Sequence, residues 1–483
     1  MTAAPWQESK QTFFALVTGT NNGIGFGICQ RLIDEYLATR SLDAHLVLVA
    51  TTRTAQKSRE TIAALRRHTR TIAHTCPNLR SRAGPDYDPR STTRRVHILG
   101  LQLDLCDFPS IFQAADQLVH GCLSGPSNPS HDDDDDDDDI VPLANVKIPR
   151  LDAVIFNAAI GGWRGLDYPR AIYSFFVMGI VYTTTYPSFK ITDVGRTVDP
   201  LASIHGAAPG KDAPRLGAVF CANVFGHYLL AHALLPLLRR PVDASQLDAR
   251  PPGRIIWESS LGLPRHCLAL DDLQGVRSQV AYESSKRLTD VLVLTHRLPG
   301  SRPHSSAYLL QPDHGTTAPP RMYLVQPGVA MTSLLSDAWL ITVLAIAAFY
   351  VARWFGSPWH PVTAYKAACA PVWMALQEQP ALDAAHAERS KWGSSVDFWG
   401  QTRVKKTEVE GWGWDGSVVP PAALRAERAL GRACRSVGRM PGMEDTTAER
   451  RQEFETLGAD VWKEMESLRL EWEARTQEAM KLA

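Results

Sequence analysis

The sequence predicts an α/β fold of the Rossmann type, a doubly wound parallel sheet with helices on both faces, inserted loops and a helical C-terminal extension. Two observations predict it: strand-like runs alternate with helical patterns, and a glycine-rich turn directly follows the first run. Such alternation is typical of a parallel sheet covered by crossover helices. The strand-like runs are Phe13–Thr18, His45–Ala50, Val96–Asp104, Ala153–Asn157, Arg254–Ser259 and Met322–Gln326.

The composition excludes several other classes of protein. The chain has 51 Lys and Arg residues against 51 Asp and Glu residues, and this balance gives no support to nucleic-acid binding. A hydrophobic fraction of 45% over 483 residues is too high for a chain that is disordered throughout. The 8 cysteines form no CxxC pair, which favours reduced thiols in a cytosolic setting over a disulfide framework or a zinc site.

We expect one large domain followed by two smaller regions. The α/β domain covers 10–335, an apolar membrane-associating segment covers 336–360, and the helical extension covers 361–483. Several insertions interrupt the α/β domain, one of them at 76–95, and two others bear on function. The first, at 121–149, contains the run Asp132–Asp139 and is expected to be a solvated, disordered loop, not a metal site. The second, at 162–215, follows a strand end and is a candidate substrate cover.

The most apolar stretch of the chain lies at 338–352 and contains no charged residue. Crossing a bilayer takes about 20 apolar residues, whereas roughly 10–14 suit a buried or interfacial helix. The length of this stretch falls between those values, so membrane contact and a purely buried helix both remain open. A second apolar stretch, Ala171–Tyr182, favours membrane contact. No secretory signal is expected, because no basic region precedes the first apolar run.

A dinucleotide site is predicted where the first strand ends. Gly19, Gly23 and Gly25 allow a tight turn and let the backbone approach a pyrophosphate at the N-terminus of the helix that follows. Arg53, with Lys57 close behind, follows the second strand, where an acidic residue would favour NADH. A guanidinium pairs with a 2′-phosphate, so NADPH is preferred; the alternative is a solvated surface charge.

Asp104 ends the third strand, and two roles for it remain open. Its carboxylate is placed to accept a hydrogen bond from the adenine amino group of a bound dinucleotide. An equally good alternative is that it caps the following helix.

A catalytic constellation is predicted near Tyr282. Lys286 lies four residues later, one helical turn away on the same face. Reducing a ketone with a nicotinamide hydride requires a proton for the developing alkoxide. A phenol of pKa about 10 supplies one if a nearby cation lowers that pKa. Lys286 supplies the cation and is placed to hold the cofactor ribose. Ser259 and Ser260 end a strand at the carboxyl edge, where one hydroxyl is expected to bind the substrate carbonyl.

These residues, in this order, resemble the short-chain dehydrogenase/reductase family. The matching motifs are Thr18-Gly19-Thr20-Asn21-Asn22-Gly23-Ile24-Gly25, Asn157-Ala158-Ala159, Asn223, Ser259-Ser260, Tyr282 with Lys286, and Pro327-Gly328-Val329-Ala330-Met331-Thr332. The resemblance implies a catalytic tetrad of Asn223, one serine, Tyr282 and Lys286, with Asn223 organising a water-linked proton relay. The implied cofactor contacts are Gly19, Asn22, Gly23, Ile24, Gly25, Thr52, Arg53, Lys57, Asp104, Asn157, Ala159, Tyr282, Lys286, Pro327, Val329 and Thr332.

Two departures from the family pattern affect these assignments. The familiar Asn-Ala-Gly is Asn157-Ala158-Ala159 here, a small change that should spare the backbone contact. The serine pair lies farther before Tyr282 than in most short-chain reductases. Which serine acts therefore stays open, although alignment of the strand favours Ser260. The histidines show no ligand spacing that requires a metal.

Over residues 12–415 the chain more specifically resembles the fungal 3-keto-steroid reductases of sterol C4-demethylation, which are similar to animal 17β-hydroxysteroid dehydrogenase type 7. The shared segments include Trp163-Arg164-Gly165-Leu166, Thr185-Tyr186-Pro187-Ser188-Phe189-Lys190-Ile191 and Lys391-Trp392-Gly393-Ser394. The resemblance implies NADPH-dependent reduction of the 3-keto group of C4-demethylated sterol intermediates to a 3β-alcohol. It also implies the cytosolic face of the endoplasmic reticulum membrane or lipid droplets, with other sterol C4-demethylation enzymes as partners.

Two alternatives to this function remain. The tetrad fixes the reaction and not the substrate, so another steroid, retinoid or lipid ketone is possible. A membrane scaffold for sterol-biosynthetic enzymes is the alternative outside the enzyme class.

Overall fold

A central sheet of eight strands confirms the predicted α/β fold. The strands are β1 Phe13–Val17, β2 Leu46–Thr52, β3 Val96–Gln102, β4 Ala153–Phe156, β5 Arg254–Glu258, β6 Arg321–Gln326, β7 Lys391–Val396 and β8 Thr402–Thr407. Their order across the sheet is β8-β7-β6-β5-β4-β1-β2-β3. Neighbours pair in parallel except β7 and β8, which are antiparallel. The order reverses between β1 and β4, and ligands of doubly wound sheets bind outside the carboxyl ends of the strands at such a point.

The structure is a computed structural model that describes residues 4–7, 9, 11–125, 143–206, 214–241, 250–310, 317–331, 339–418 and 438–483. Two predicted features, the run Asp132–Asp139 and the cofactor contact Thr332, lie outside these residues.

Helices cover both faces of the sheet. Those of eight residues or more are α1 Gly23–Thr39, α2 Ala55–Thr75, α3 Phe108–Val119, α4 Tyr168–Thr185, α5 Gly226–Ala233, α6 Ala281–Thr295, α7 Arg302–Leu309, α8 Trp339–Trp354, α9 Cys369–Leu376 and α10 Ala448–Leu482. Shorter helices are Pro77–Ala83, Pro89–Thr93, Ala202–His205, Ala218–Phe220, Leu235–Leu238, Ala364–Ala367 and Gln379–Ala384, with 3₁₀ turns at Arg265–Cys267, Leu270–Asp272 and Ala387–Arg389. Short antiparallel pairs join Trp163–Leu166 to Lys190–Thr192, Thr197–Val198 to Leu216–Gly217, and Arg240–Pro241 to Thr317–Ala318.

The alternation of side chains along each strand builds two cores. In β1, Phe14 and Leu16 belong to the core that α3, α5, α6 and α10 cover. Ala15 and Val17 belong to the core on the opposite face, under α1 and α9. Both faces are apolar, as expected for a parallel sheet that is buried on both sides.

The prediction of a purely helical extension after residue 361 needs a correction, because β7 and β8 extend the sheet there. The two strands form a hairpin whose first strand pairs with β6, aligning Leu324 with Lys391. Their sequences, KWGSSV and TRVKKT, are mostly polar. Neither contains the run of apolar residues from which a strand is predicted. Pairing with an existing sheet edge supplies the stabilisation that local propensity lacks.

The apolar stretch after residue 338 forms α8, and the structure excludes a purely buried helix there. Trp339, Val343 and Leu344 are 76%, 51% and 61% exposed, whereas Phe349 and Ala352 are buried. α8 packs against α4, which contains the second apolar stretch. In the described part of the chain, no helix combines the length and the apolar character needed to cross a bilayer.

Candidate active site

The glycine turn lies at the carboxyl end of β1 and leads into α1. Gly19 and Gly23 have φ values of +69° and +56°, in the left-handed region that favours glycine. A Cβ on Gly25 would lie 2.2 Å from the carbonyl oxygen of Gly19 and 2.5 Å from Nδ2 of Asn157. Only glycine fits at this position. The turn therefore leaves a backbone cradle at the start of α1, where first-turn N–H groups lack intrahelical acceptors.

Asn157 braces this cradle. Its Nδ2 donates to the carbonyl oxygens of Thr18, at 2.8 Å, and Gly19, at 3.3 Å. Its backbone N–H donates to Thr18 Oγ1 at 3.0 Å. The same hydroxyl lies 2.9 Å from Nε2 of His227. Burial lowers the pKa of His227 to about 3, so this ring is neutral.

The predicted nucleotide contacts lie at the carboxyl ends of β2 and β3. Arg53 and Lys57 are exposed to solvent, and Asn22 is exposed at the start of α1. Thr52 is buried, and its hydroxyl donates to the carbonyl oxygen of Thr54 at 3.0 Å. Asp104 Oδ1 accepts from the N–H of Cys106 at 2.9 Å, which closes a local turn. The alternative role of Asp104 as a helix cap is wrong, because the helix that follows, α3, is capped by Asp107, whose carboxylate accepts from the N–H of Ser110.

The segment after β6 is fixed by backbone pairing. The N–H of Val329 donates to the carbonyl oxygen of Trp359 at 2.6 Å, and the carbonyl of Val329 accepts from the N–H of Val362 at 3.1 Å. Pro327, Ile24 and Ala159 are half-buried. This pairing holds the segment rigid at the sheet edge.

Tyr282 and Ser260 meet at the end of β5. The Ser260 hydroxyl lies within hydrogen-bonding reach of the phenol of Tyr282, which is in the first turn of α6. The predicted lowering of this pKa by Lys286 is not found: burial raises the pKa of Tyr282 to about 12, and the contact with Ser260 opposes that rise. Trp163 packs edge-on against the Tyr282 ring at 5.3 Å between centroids. Nζ of Lys190 lies 5.1 Å from the same ring.

The neighbouring serine points elsewhere. Ser259 Oγ donates to Asp290 Oδ1 at 2.5 Å and lies 3.2 Å from the carbonyl oxygen of Lys286. Ser259 is 2% exposed. Of the two candidates, Ser260 is therefore the serine in contact with Tyr282.

Lys286 is held by the last residue of β5. Its Nζ donates to the carbonyl oxygen of Glu258 at 2.7 Å and lies 5.9 Å from the centroid of the Tyr282 ring. Burial lowers the pKa of Lys286, and the nearby Glu258 carboxylate opposes this effect. Burial raises the pKa of Glu258, whose buried Oε1 has no hydrogen-bond partner in the described structure.

Asn223 lies in a π-helical turn, Cys221–Phe225, and is 2% exposed. Its Oδ1 accepts from the N–H of Ile160 at 2.8 Å. Its Nδ2 donates to Ser285 Oγ at 3.0 Å, and that hydroxyl donates to the carbonyl oxygen of Tyr282 at 2.7 Å. Asn223 is thus linked to the first turn of α6 through Ser285. Such π-helical turns occur frequently at functional sites.

Several residues around the site were not candidates on the sequence: Thr18, Trp163, Lys190, Glu258, Asp290 and Lys391. All six lay in segments that carried the family resemblance, which was the only signal available for them. These residues make contacts between segments that are far apart in the sequence. Such contacts leave no local sequence pattern from which they could be predicted.

A cleft borders Ser260. Apolar walls come from Tyr186, at the end of α4, and from Leu263, Met440 and Met443. Polar walls include Asp290, Lys391, Glu408 and Glu410. The C-terminal extension thus contributes to the surface beside the candidate serine.

Comparison with known proteins finds two relatives that span nearly the whole chain. The 3-keto-steroid reductase ERG27 of Gibberella zeae is 46% identical over 479 residues, covering 97% of this chain and 96% of that protein. The 3-keto-steroid reductase erg27 of Aspergillus fumigatus is 38% identical over 488 residues, covering 96% and 95%. Among solved structures, salutaridine reductase from Papaver somniferum matches with 16% identity and a TM-score of 0.33, covering 67% of this chain and 88% of that one. No protein-family model matches the chain.

Proposed function

The chain belongs to the 3-keto-steroid reductase family, and on this premise we propose that it reduces the 3-keto group of a C4-demethylated sterol intermediate to a 3β-alcohol with NADPH. The enzyme is an oxidoreductase. The observation that carries the proposal is the contact between the Ser260 hydroxyl and the Tyr282 phenol, next to Lys286 at the carboxyl edge of the sheet. This edge also holds the glycine turn.

The residues at the edge fit a dinucleotide. Gly19 and Gly25 leave a cradle that a Cβ would fill, and α1 presents its N-terminus there. Asn157 fixes the shape of the turn from the neighbouring strand end. When bound, the nicotinamide supplies a hydride to the ketone carbon. The predicted cofactor contacts, including Val329 and Ala159, are proposed to hold the dinucleotide.

Tyr282 is the proposed proton donor. Because its pKa is raised to about 12, the phenol keeps its proton at neutral pH until the reaction makes the substrate oxygen basic. The ketone oxygen gains this proton as the carbon gains hydride, which completes the alcohol and leaves a phenolate.

The other members of the tetrad are proposed to support this transfer. Ser260, already in contact with the phenol, orients the substrate carbonyl. The ammonium of Lys286 stabilises the phenolate as it forms and holds the cofactor ribose. Asn223 fixes the first turn of α6 through Ser285 and supports the relay that returns a proton to Tyr282.

We propose NADPH as the cofactor because of the charges at the end of β2. Arg53 and Lys57 are both exposed there, where the adenine ribose of a bound dinucleotide lies. A guanidinium forms paired, charge-assisted hydrogen bonds with a phosphate group. The two side chains therefore favour a cofactor that carries a 2′-phosphate.

We also propose that the enzyme docks on the endoplasmic reticulum membrane or on lipid droplets through an apolar surface, which we name the α4–α8 surface. It comprises the exposed residues of these two packed helices, with Phe355 at the end of α8 and the turn at Phe398 and Trp399. Phe176, Phe355 and Trp399 are 79%, 74% and 81% exposed. The turn lies beside α8, since Gly400 approaches Arg353.

A lipid partner suits this surface. Exposed apolar surface of this extent, rich in aromatic side chains, is typical of contact with a membrane interface. Tyr186, which directly follows α4, lines the cleft beside Ser260. An apolar ketone that leaves the lipid would thus meet the enzyme near its candidate active site.

The deciding experiment compares the purified wild type with Tyr282→Phe, using NADPH and a 3-keto sterol. We expect the variant to lose about 10²- to 10⁴-fold in kcat, because it has no acidic proton to donate. NADPH binding, measured by fluorescence titration, is expected to be retained. Equal turnover by the two proteins would contradict the mechanism. Turnover with other ketones alone would contradict the choice of substrate.

A further inference from the structure

A buried ion pair contacts the two serines at the end of β5. Nζ of Lys391 lies 2.8 Å from Asp290 Oδ2, and the two side chains are 3% and 1% exposed. Lys391 begins β7, and Asp290 lies in α6, the helix that carries Tyr282. The pair therefore ties the added edge of the sheet to the catalytic helix.

Each partner of the pair also holds one serine. Lys391 Nζ donates to the carbonyl oxygen of Ser260 at 2.6 Å. Asp290 Oδ1 accepts from the hydroxyl of Ser259 at 2.5 Å. The ion pair thus holds the backbone carbonyl of Ser260 and the side chain of Ser259. The hydroxyl of Ser260 remains in contact with the phenol of Tyr282.

Stability alone is a poor explanation for such a pair. Removing two charges from water costs several kcal/mol per ion, and replacing a buried pair with apolar side chains is often neutral or stabilising. A geometric role explains it better, because a reacting group displaced by about 1 Å can lose roughly 100-fold in rate.

We propose that Lys391 and Asp290 are positioning residues that aim the Ser260 hydroxyl at the phenol of Tyr282. Neither side chain reaches the reacting atoms; both act through the serine dipeptide. The inference rests on the proposed reduction of a sterol ketone, because it concerns the rate of that reaction.

The test uses Lys391→Met, Asp290→Asn and the double variant in the full-length enzyme. Each substitution keeps the size of the side chain and removes its charge. We expect each single variant to lose about 10- to 100-fold in kcat. The KM for the ketone and the Kd for NADPH are expected to stay within about twofold, because the binding contacts remain.

The double variant separates positioning from folding. Each single variant leaves one buried charge without its partner and should lose stability, whereas the double variant leaves no unpaired charge. Its unfolding midpoint should therefore recover while its kcat stays low. Recovery of kcat along with stability would show that the pair is purely structural and would overturn the proposal.

Arg469→Met is the matched control. Arg469 and Glu466 form another buried pair, at 2.8 Å with side chains 7% exposed, on α10. This variant should lose stability without losing kcat per folded molecule.

Crystal structures of the wild type and the double variant give a readout that needs no substrate. The Ser260–Tyr282 hydrogen bond is expected in the first structure and lost in the second. Its retention in the double variant would overturn the inference, even if the substrate proposed for the enzyme proved wrong.

Discussion

Ser259 and Ser260 are adjacent and chemically identical, but their hydroxyl groups have different neighbours. Ser260 contacts the phenol of Tyr282, whereas Ser259 bonds to the carboxylate of Asp290. A hydroxyl engaged by a buried carboxylate is not available to a substrate carbonyl. Alignment had favoured Ser260, and the contacts of the two side chains support that choice.

Alanine substitution of each serine should therefore give different results. Ser260→Ala is expected to lower kcat by about 10²- to 10⁴-fold, because it removes a group that orients the proton transfer. Ser259→Ala is expected to reduce stability by about 1–3 kcal/mol, because a buried carboxylate loses its donor. Steady-state kinetics and urea unfolding measure the two effects. A larger loss of kcat in Ser259→Ala than in Ser260→Ala would contradict the assignment.

Cofactor choice should depend on Arg53. Arg53→Ala is expected to raise the KM for NADPH by about 10- to 100-fold, since a charge-assisted hydrogen bond contributes roughly 1.5–3 kcal/mol. The KM for NADH should not change. Arg59, also exposed on α2, is the matched control, and Arg59→Ala should leave both values unchanged. Equal losses with the two cofactors would contradict recognition of the 2′-phosphate.

The sequence alone identified the residues whose chemistry depends on local spacing. Tyr282 and Lys286 lie one turn apart on a helix, and the glycine turn directly follows a strand, so both patterns are visible in a single segment. Asp290 and Lys391 are about one hundred residues apart and meet only because β7 pairs with β6. Pairing between distant segments leaves no periodic signal in the chain.

At the scale of elements, the parallel strands were predictable because both of their faces are buried. Their runs of Val, Ile and Leu are recognisable without any tertiary information. β7 and β8 were missed because their polar sequences acquire strand geometry from the edge of β6. The exposed face of α8 could not be predicted either, since apolar composition does not reveal which side chains a helix buries.

Membrane binding should depend on the α4–α8 surface. Phe176→Asp combined with Phe355→Asp is expected to abolish flotation with vesicles of endoplasmic reticulum lipid composition. Burial of each large apolar side chain contributes about 1.5–3 kcal/mol, and a carboxylate opposes it. NADPH binding should be retained, because neither residue contacts the predicted cofactor site.

Leu470→Asp provides the control for this experiment, since Leu470 is 59% exposed on α10, outside the α4–α8 surface. It should float like the wild type. Flotation of the double variant at the wild-type level would contradict docking through α4 and α8.

For the whole molecule, a zero net charge conceals strong segregation of charge. Apolar surface is concentrated along α4 and α8, cations lie at the end of β2, and a buried ion pair lies behind the serines. This distribution suits an enzyme that binds a phosphorylated cofactor and a lipid substrate. The described part of the chain also buries several histidines, among them His97, His227, His296 and His360.

Several buried histidines should make the fold sensitive to acid. Burial lowers the pKa of His97 and His227 to about 3, and of His232, His296 and His360 to about 4, from the usual 6.5. Because these values are depressed in the folded state, the unfolded chain takes up more protons below pH 6.5. Stability is therefore complete above pH 6.5 and falls as the pH drops towards 4, by about 1.4 kcal/mol per pH unit for each histidine.

One histidine variant tests this expectation directly. The carboxyls of Glu258, Glu388 and Glu473, whose pKa values burial raises, act in the opposite direction, so the wild type alone gives only a net slope. His296→Gln keeps a polar group near the carbonyl oxygen of Val293 and cannot titrate. Guanidinium unfolding at pH 7.5 and 5.5 should show a smaller loss of stability in this variant than in the wild type. Equal losses would mean that His296 is already protonated in the folded enzyme at pH 5.5.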